Sequence, residues 1–326
     1  MDQTETDIDF RRAQELDQTV SSAPGDHLPP IARLIGRTPL LPLMRVTSGL
    51  SSGVHIYAKL EGLNPGGSVK DRPALSIVRD ALNTGQLTPD RILIDATSGN
   101  TGIAYAMLGS AYGFGVTLAM PADSSPERIQ ILRAYGAELI LTDPATRTDG
   151  ARRLVQEIAS REPDRYYHAD QYSNPANPLA HYTTTGPEIW QQTAGRITHF
   201  VAGMGTSGTM MGVGRYLRER HPAIHLVGVQ PDSPDNGIDG LKHLATADRP
   251  GIYESGIAEW MIEVGPDDAR IMTRELAREE GLFVGISAGA AVMAALKVAR
   301  EIRHGTIVAL MPDGGFKYAS AAFWSE

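Results

Sequence analysis

Four short turns rich in glycine, small and hydroxyl-bearing residues each follow an apolar, β-branched run and open an amphipathic stretch. No other feature limits the fold of these 326 residues so sharply. The turns are Asn64-Pro65-Gly66-Gly67-Ser68-Val69-Lys70, Thr97-Ser98-Gly99-Asn100-Thr101-Gly102, Gly203-Met204-Gly205-Thr206-Ser207-Gly208-Thr209 and Gly285-Ile286-Ser287-Ala288-Gly289-Ala290. A strand that passes through such a turn into a helix is the repeating unit of an α/β protein with a parallel sheet. The runs at 55–60, 91–96, 115–120, 139–142, 197–202, 226–229 and 306–311 read as strands. Amphipathic segments at 73–85, 102–112, 125–135, 148–160, 209–219, 266–280 and 288–303 read as helices. The length suits two lobes, so the expectation is an α/β fold of two mostly parallel sheets flanked by helices. The polar stretch Gln171-Tyr172-Ser173-Asn174-Pro175-Ala176-Asn177-Pro178 breaks the alternation, and it is where the chain is expected to cross between lobes.

Composition removes several chemistries. There is no cysteine, which excludes disulfides, thiolate zinc sites, iron–sulfur clusters and a cysteine nucleophile. No H-E-x-x-H pair or other histidine cluster with metal spacing occurs, and no metal is expected; no G-x-S-x-G hydrolase elbow is present either. The formal charge of −8 argues against nucleic acid or an anionic membrane as the main partner. Seven acids against Arg11 and Arg12 in residues 1–26 make residues 1–34 an acidic, flexible extension. Nothing there resembles a signal peptide, and no apolar run reaches 18 residues, so a cytoplasmic protein is expected.

Ligands of open α/β sheets bind at the carboxyl ends of strands, where helix N-termini offer free N–H groups to anions. The 203–209 turn has the small residues and hydroxyls of a phosphate cradle. It also matches G-x-G-x-x-G, but the acidic residue a dinucleotide site wants about 20 positions on is replaced by Gln230. The 97–102 turn carries three hydroxyls and an amide, more than capping one helix requires, and suits a carboxylate. Lys70 stands at a helix start, where the dipole disfavours a cation, and a lysine of lowered pKa is what Schiff-base chemistry needs. Ser287 is placed to cap a helix or to meet a ring nitrogen.

Taken in order, N-P-G-G-S-V-K-D-R, T-S-G-N-T-G, G-M-G-T-S-G-T and G-I-S-A-G-A resemble the fold type II pyridoxal-phosphate enzymes, and among them the O-acetylserine sulfhydrylase (cysteine synthase) family. The resemblance runs over about 33–320. K-D-R after the lysine and Ala180-His181-Tyr182-Thr183-Thr184-Thr185-Gly186-Pro187-Glu188-Ile189-Trp190 are most similar to the B-type enzymes. It implies that Lys70 binds pyridoxal 5′-phosphate covalently and serves as the catalytic base. Gly205, Thr206, Ser207, Gly208 and Thr209 would hold the phosphate, Asn100 the 3′-oxygen and Ser287 the pyridine nitrogen. Thr97, Ser98, Asn100, Thr101 and Gln171 would receive the substrate carboxylate. Lys242 stands where B-type and O-phosphoserine-using relatives carry arginine, and would meet an additional anionic group.

The implied reaction replaces the β-substituent of an O-activated serine, O-acetylserine first, through an α-aminoacrylate. Sulfide or thiosulfate then gives cysteine or S-sulfocysteine. An O-phosphoserine sulfhydrylase, a cystathionine β-synthase-like enzyme and a non-catalytic cofactor-binding partner are the alternatives. The resemblance also implies a homodimer, a smaller mobile substrate-binding lobe at 64–174, and a larger cofactor-binding lobe from 42–63 with 175–326.

Overall fold

The computed structural model describes residues 28–325 apart from 98, 235 and 236, so most of the acidic extension and Ser98 lie outside the described residues. The described strands are β1 (Leu40–Pro42), β2 (Gly53–Leu60), β3 (Ile92–Ala96), β4 (Val116–Pro121), β5 (Glu138–Thr142), β6 (Tyr166–His168), β7 (His199–Gly203), β8 (His225–Pro231), β9 (Trp260–Val264) and β10 (His304–Met311). They form a six-stranded sheet in the order β1-β2-β10-β7-β8-β9 and a four-stranded sheet in the order β5-β4-β3-β6. Every pairing is parallel except β1 with β2. This is the α/β architecture with parallel-dominated sheets that the turns demand.

Parallel sheets are covered by helices on both faces, so their inner strands are apolar throughout. All six residues of β4 are buried, and Ile307, Val308 and Ala309 of β10 are fully enclosed. Each buried aliphatic side chain of this kind contributes about 1.5–3 kcal/mol. Ile77, Leu93, Ile103, Leu108, Leu118 and Leu132 form the core of the smaller sheet with its helices Asp71–Asn83 and Asn100–Tyr112. The larger sheet has cores on two sides, one under the helix Ile286–Glu301 and one under the helix Gly208–Arg220.

The chain passes from β6 in the smaller sheet to β7 in the larger one through the stretch that breaks the alternation. Where the sequence shows only a break in the alternation, the structure has a helix from Ala176–Ala180, followed by a π turn at His181–Thr185 and a second helical piece at Gly186–Gln192. Pro178 sits within the first turn, where its missing N–H costs nothing. Pro187 cannot donate and its ring would crowd the carbonyl four residues back, and the helix widens to a π turn just ahead of it. Helix Gly208–Arg220 packs tightly on this segment: a Cβ at Gly212 would stand 2.1 Å from Pro178 O and 2.7 Å from His181 Cβ. Gly212→Ala is therefore expected to lower stability by about 1–3 kcal/mol, read as an earlier urea midpoint. An unchanged midpoint would show that the two helices can separate freely.

Candidate active site

The functional turns lie at the carboxyl ends of strands from both sheets, and the space between them is a cavity of about 180 Å³. Lys70, Thr97, Asn100, Thr101, Gln171, Gly205, Thr206 and Lys242 all line it. The structure thus brings the lysine, the carboxylate turn and the start of the phosphate turn together. A second cavity of about 620 Å³ shares Arg128, Thr148, Asp239 and Tyr318 as walls. Ser207, Gly208, Thr209 and Ser287 are not among the residues that line either cavity.

Lys70 is the N-cap of helix Asp71–Asn83, with helical φ and ψ of −70° and −16°, and its N–H donates to Ser68 Oγ at 3.2 Å. Its pKa is lowered chiefly by burial, opposed by the charge of Asp313 and assisted by that of Lys317. Desolvation comes first among the causes, and a second cation, Lys317, adds to it.

Lys317 and Asp313 were not singled out from sequence as site residues. Lys317 Nζ donates to Asn100 Oδ1 at 2.6 Å and to Gly67 O at 3.1 Å. Asn100 Nδ2 donates to Asp313 Oδ2 at 2.8 Å, which also accepts from Tyr318 OH at 2.7 Å. Both amide atoms of Asn100 are therefore oriented, with one Nδ2 hydrogen left for a further acceptor. A Cβ at Gly285 would lie 2.1 Å from Asp313 Oδ1, and Ser287, which is buried, stands two residues on in helix Ile286–Glu301. The signal that could have revealed Asp313 and Lys317 is positional. Asp313-Gly314-Gly315-Phe316-Lys317-Tyr318 follows β10, another strand ending at the same side.

In the carboxylate turn, Thr97 Oγ accepts from Gly99 N at 3.2 Å. Thr101 Oγ donates to Gln171 Oε1 at 2.7 Å, and Gln171 Nε2 reaches Ala96 O at 3.4 Å. These bonds hold Gln171 against the turn although 70 residues separate it from Thr101. In the phosphate turn Ser207 has a left-handed φ of 68°, and its buried Oγ has no partner. A Cβ at Gly205 would meet Gly240 O at 2.4 Å, so the turn packs against the backbone at Gly240 as only glycine allows.

Lys242 is not a freely exposed loop lysine. Its side chain is 14% exposed, with Nζ 3.8 Å from Asp149 Oδ1 and 5.0 Å from the centre of the Tyr172 ring. Burial lowers its pKa, against the pull of Asp149.

An amine of lowered pKa, a glycine turn with an orphaned buried hydroxyl, and an oriented amide fit pyridoxal phosphate as a donor set. The family model for pyridoxal-phosphate dependent enzymes matches residues 31–313, and the chain belongs to that family of cofactor-dependent enzymes. The cysteine synthase of Aquifex aeolicus is 50% identical over 301 residues, 91% of this chain and 92% of the relative. Cysteine synthase B of Escherichia coli is 46% identical over 296 residues, 91% and 96% of the two chains. The structure of a cysteine synthase from Entamoeba histolytica superposes with a TM-score of 0.87 at 36% identity, covering 94% of each chain.

Proposed function

We propose that this chain is a cysteine synthase, forming L-cysteine from O-acetylserine and sulfide by replacement at the β-carbon. The observation that carries this reading is the single cavity walled by Lys70, Thr97, Asn100, Thr101, Gln171 and the first residues of the 205–209 turn, Gly205 and Thr206. It is supported by relatives named cysteine synthase at 46–50% identity.

Pyridoxal phosphate, when bound, draws electrons from the α-carbon of an amino acid attached to it, so that the α-proton becomes acidic. Thr97, Ser98, Asn100, Thr101 and Gln171 take the substrate carboxylate, which sets the direction of the Cα–H bond. Lys70 Nζ, whose pKa burial lowers, accepts that proton as the β-substituent leaves, and returns it to Cα after the nucleophile has added. Gly205, Thr206, Ser207, Gly208 and Thr209 hold the phosphate, and Asn100 the 3′-oxygen. Ser287 offers the ring nitrogen a hydroxyl, a partner that does not enforce a positive ring and so favours elimination over transamination.

The smaller lobe, 64–174, closes over the substrate against the larger lobe of 42–63 with 175–326. Arg128–Asp239 at 2.8 Å, Lys242–Asp149 at 3.8 Å and Arg152–Asp248 at 3.9 Å are the ion pairs that such a closure would use. The enzyme works as a homodimer in the cytoplasm. Leu34, Met44, Leu63 and Phe316, 62% to 79% exposed, supply apolar surface for a second copy, and no helix among the described residues is long and apolar enough to cross a membrane.

Lys242 receives the anionic group of a substrate, either a phosphate on the serine oxygen or a thiosulfate nucleophile. The test is cysteine formation from O-acetylserine and from O-phosphoserine, with sulfide and with thiosulfate, in the wild type and in Lys242→Met. Turnover of O-acetylserine with sulfide is expected in both proteins, within about threefold. The charged donor or nucleophile should lose about tenfold in the variant, one charge-assisted hydrogen bond. Absence of cysteine from every pair would overturn the assignment, and an equal effect on charged and neutral substrates would remove Lys242 from it.

A further inference from the structure

The phosphate turn has a second layer of polar side chains behind it. Asn177 and His181 stand four residues apart where helix Ala176–Ala180 passes into the π turn His181–Thr185, a spacing that puts both on one face. That face meets the start of helix Gly208–Arg220. Asn177 Nδ2 donates to Thr206 Oγ1 at 3.2 Å, and to Gln171 O at 2.7 Å. His181 Nε2 lies 3.3 Å from Thr209 Oγ1, and Nδ1 lies 2.9 Å from Thr185 Oγ1. Both residues are 1% exposed. The approach depends on glycine: a Cβ at Gly208 would stand 2.0 Å from Asn177 Oδ1.

Proton counting decides what this layer does. A threonine hydroxyl has a single proton to donate. Were Nε2 the acceptor, the Thr209 proton would be used on the imidazole and its lone pairs would face an anion in the turn. With the Thr185 hydroxyl donating to Nδ1, the ring proton sits on Nε2 and is donated to Thr209 Oγ1. The Thr209 proton is then free to point outward. Thr183 and Thr184 both donate to carbonyls four residues back, Leu179 O at 3.0 Å and Ala180 O at 2.6 Å, whereas Thr185 turns to the ring. Thr206 follows the same logic, since its oxygen accepts from Asn177 Nδ2 and, at 3.4 Å, from Gly208 N. The imidazole is held neutral, its pKa pushed well below the ordinary value by burial first and then by the cations Arg72 and Lys70.

We propose that Asn177 and His181 are positioning residues that donate into the Thr206 and Thr209 oxygens, so that both hydroxyl protons are presented to the phosphate of the cofactor. The proposal rests on the assignment of 205–209 as the phosphate site. It makes the Thr185-His181-Thr209 chain a device for phosphate affinity in which His181 and Thr185 touch no ligand.

The test strips the purified full-length enzyme of cofactor and titrates it with pyridoxal phosphate and with pyridoxal, which lacks the phosphate. His181→Leu and Thr185→Val are each expected to weaken pyridoxal phosphate about tenfold, the worth of one hydrogen bond, and to leave pyridoxal within about twofold. The ³¹P resonance of the reloaded enzyme should shift in both. His181→Gln, whose amide can reach Thr209 from near the Nε2 position, should recover most of the affinity. Thr209→Val separates this proposal from the reading beneath it: if that variant leaves the preference for the phosphorylated form unchanged, the phosphate assignment is wrong. If Thr209→Val lowers the preference while His181→Leu and Thr185→Val do not, the positioning role is overturned. Equal losses for both ligands would reduce His181 to packing. Should His181→Leu fail to fold, Thr185→Val, a near-isosteric change, decides.

Discussion

Lys70→Ala is expected to lose at least about 10³-fold in turnover, because one substitution removes both the covalent attachment point and the base that moves the α-proton. Stability should not fall with it. The Lys70 ammonium is disfavoured by its surroundings, as its lowered pKa shows, and its side chain makes no capping hydrogen bond that alanine would remove. The expected pattern is an inactive protein with a urea midpoint equal to or above that of the wild type. Turnover within tenfold of normal would remove Lys70 from the chemistry. Inactivity accompanied by a collapsed midpoint would mean that the lysine is structural.

Arg72→Ala should have the largest effect on stability. The Arg72 guanidinium donates from Nε and Nη2 to Glu61 at 2.7 and 2.8 Å, and from Nη1 and Nη2 to Glu188, both at 2.7 Å. It also reaches Thr184 Oγ1 at 3.0 Å and Thr38 Oγ1 at 3.1 Å. Glu61 is fully buried, and truncating the arginine would strand its carboxylate without a counter-charge. Breaking a buried pair from one side costs about 3–5 kcal/mol. Denaturant unfolding monitored by circular dichroism checks this, and a loss under about 1 kcal/mol would show that Lys59 or water compensates. The network joins β2, the helix that begins beside Lys70 and the helical piece Gly186–Gln192, so Lys70 should lose its placement as well.

The same network fixes the sign of an acid response. Burial alone would raise the pKa of Glu188, but hydrogen bonds and charge from Arg72 and Lys59 override it and bring it down to about 2. A folded-state pKa below the unfolded one gives stability that is complete above the unfolded carboxylate value of about 4.3 and is lost as pH falls towards 2. In Arg72→Ala this part of the acid dependence should flatten.

Much of the fold is legible in the residues because parallel sheets bury both faces. Val116-Thr117-Leu118-Ala119-Met120 and Thr306-Ile307-Val308-Ala309-Leu310-Met311 read as strands by apolarity alone, and the structure makes β4 and β10 of them. β6 escaped notice because Tyr166-Tyr167-His168 is too short to show a period. β9 lies at a sheet edge with its alternation weakened by partial exposure. The helical stretch 176–192 was hidden by its two prolines, whose cost depends on their positions in a helix.

At the site, the lysine, the phosphate-type turn and the hydroxyl turn were visible because each is a local device of backbone and short side chains, complete within six or seven residues. Local chemistry and strand–helix alternation determined the α/β class and the candidate Schiff-base lysine, and the cofactor came with the family resemblance that the four turns carry. Only the tertiary structure decided that Lys317 and Asp313 orient Asn100 from over 200 residues away, that Lys242 is folded in against Asp149 and Tyr172, and that His181 stands behind Thr209. The physical reason is that a hydrogen bond or a desolvated charge is defined by distance in space. Sheet order and helix packing set those distances, and no spacing along the chain encodes them.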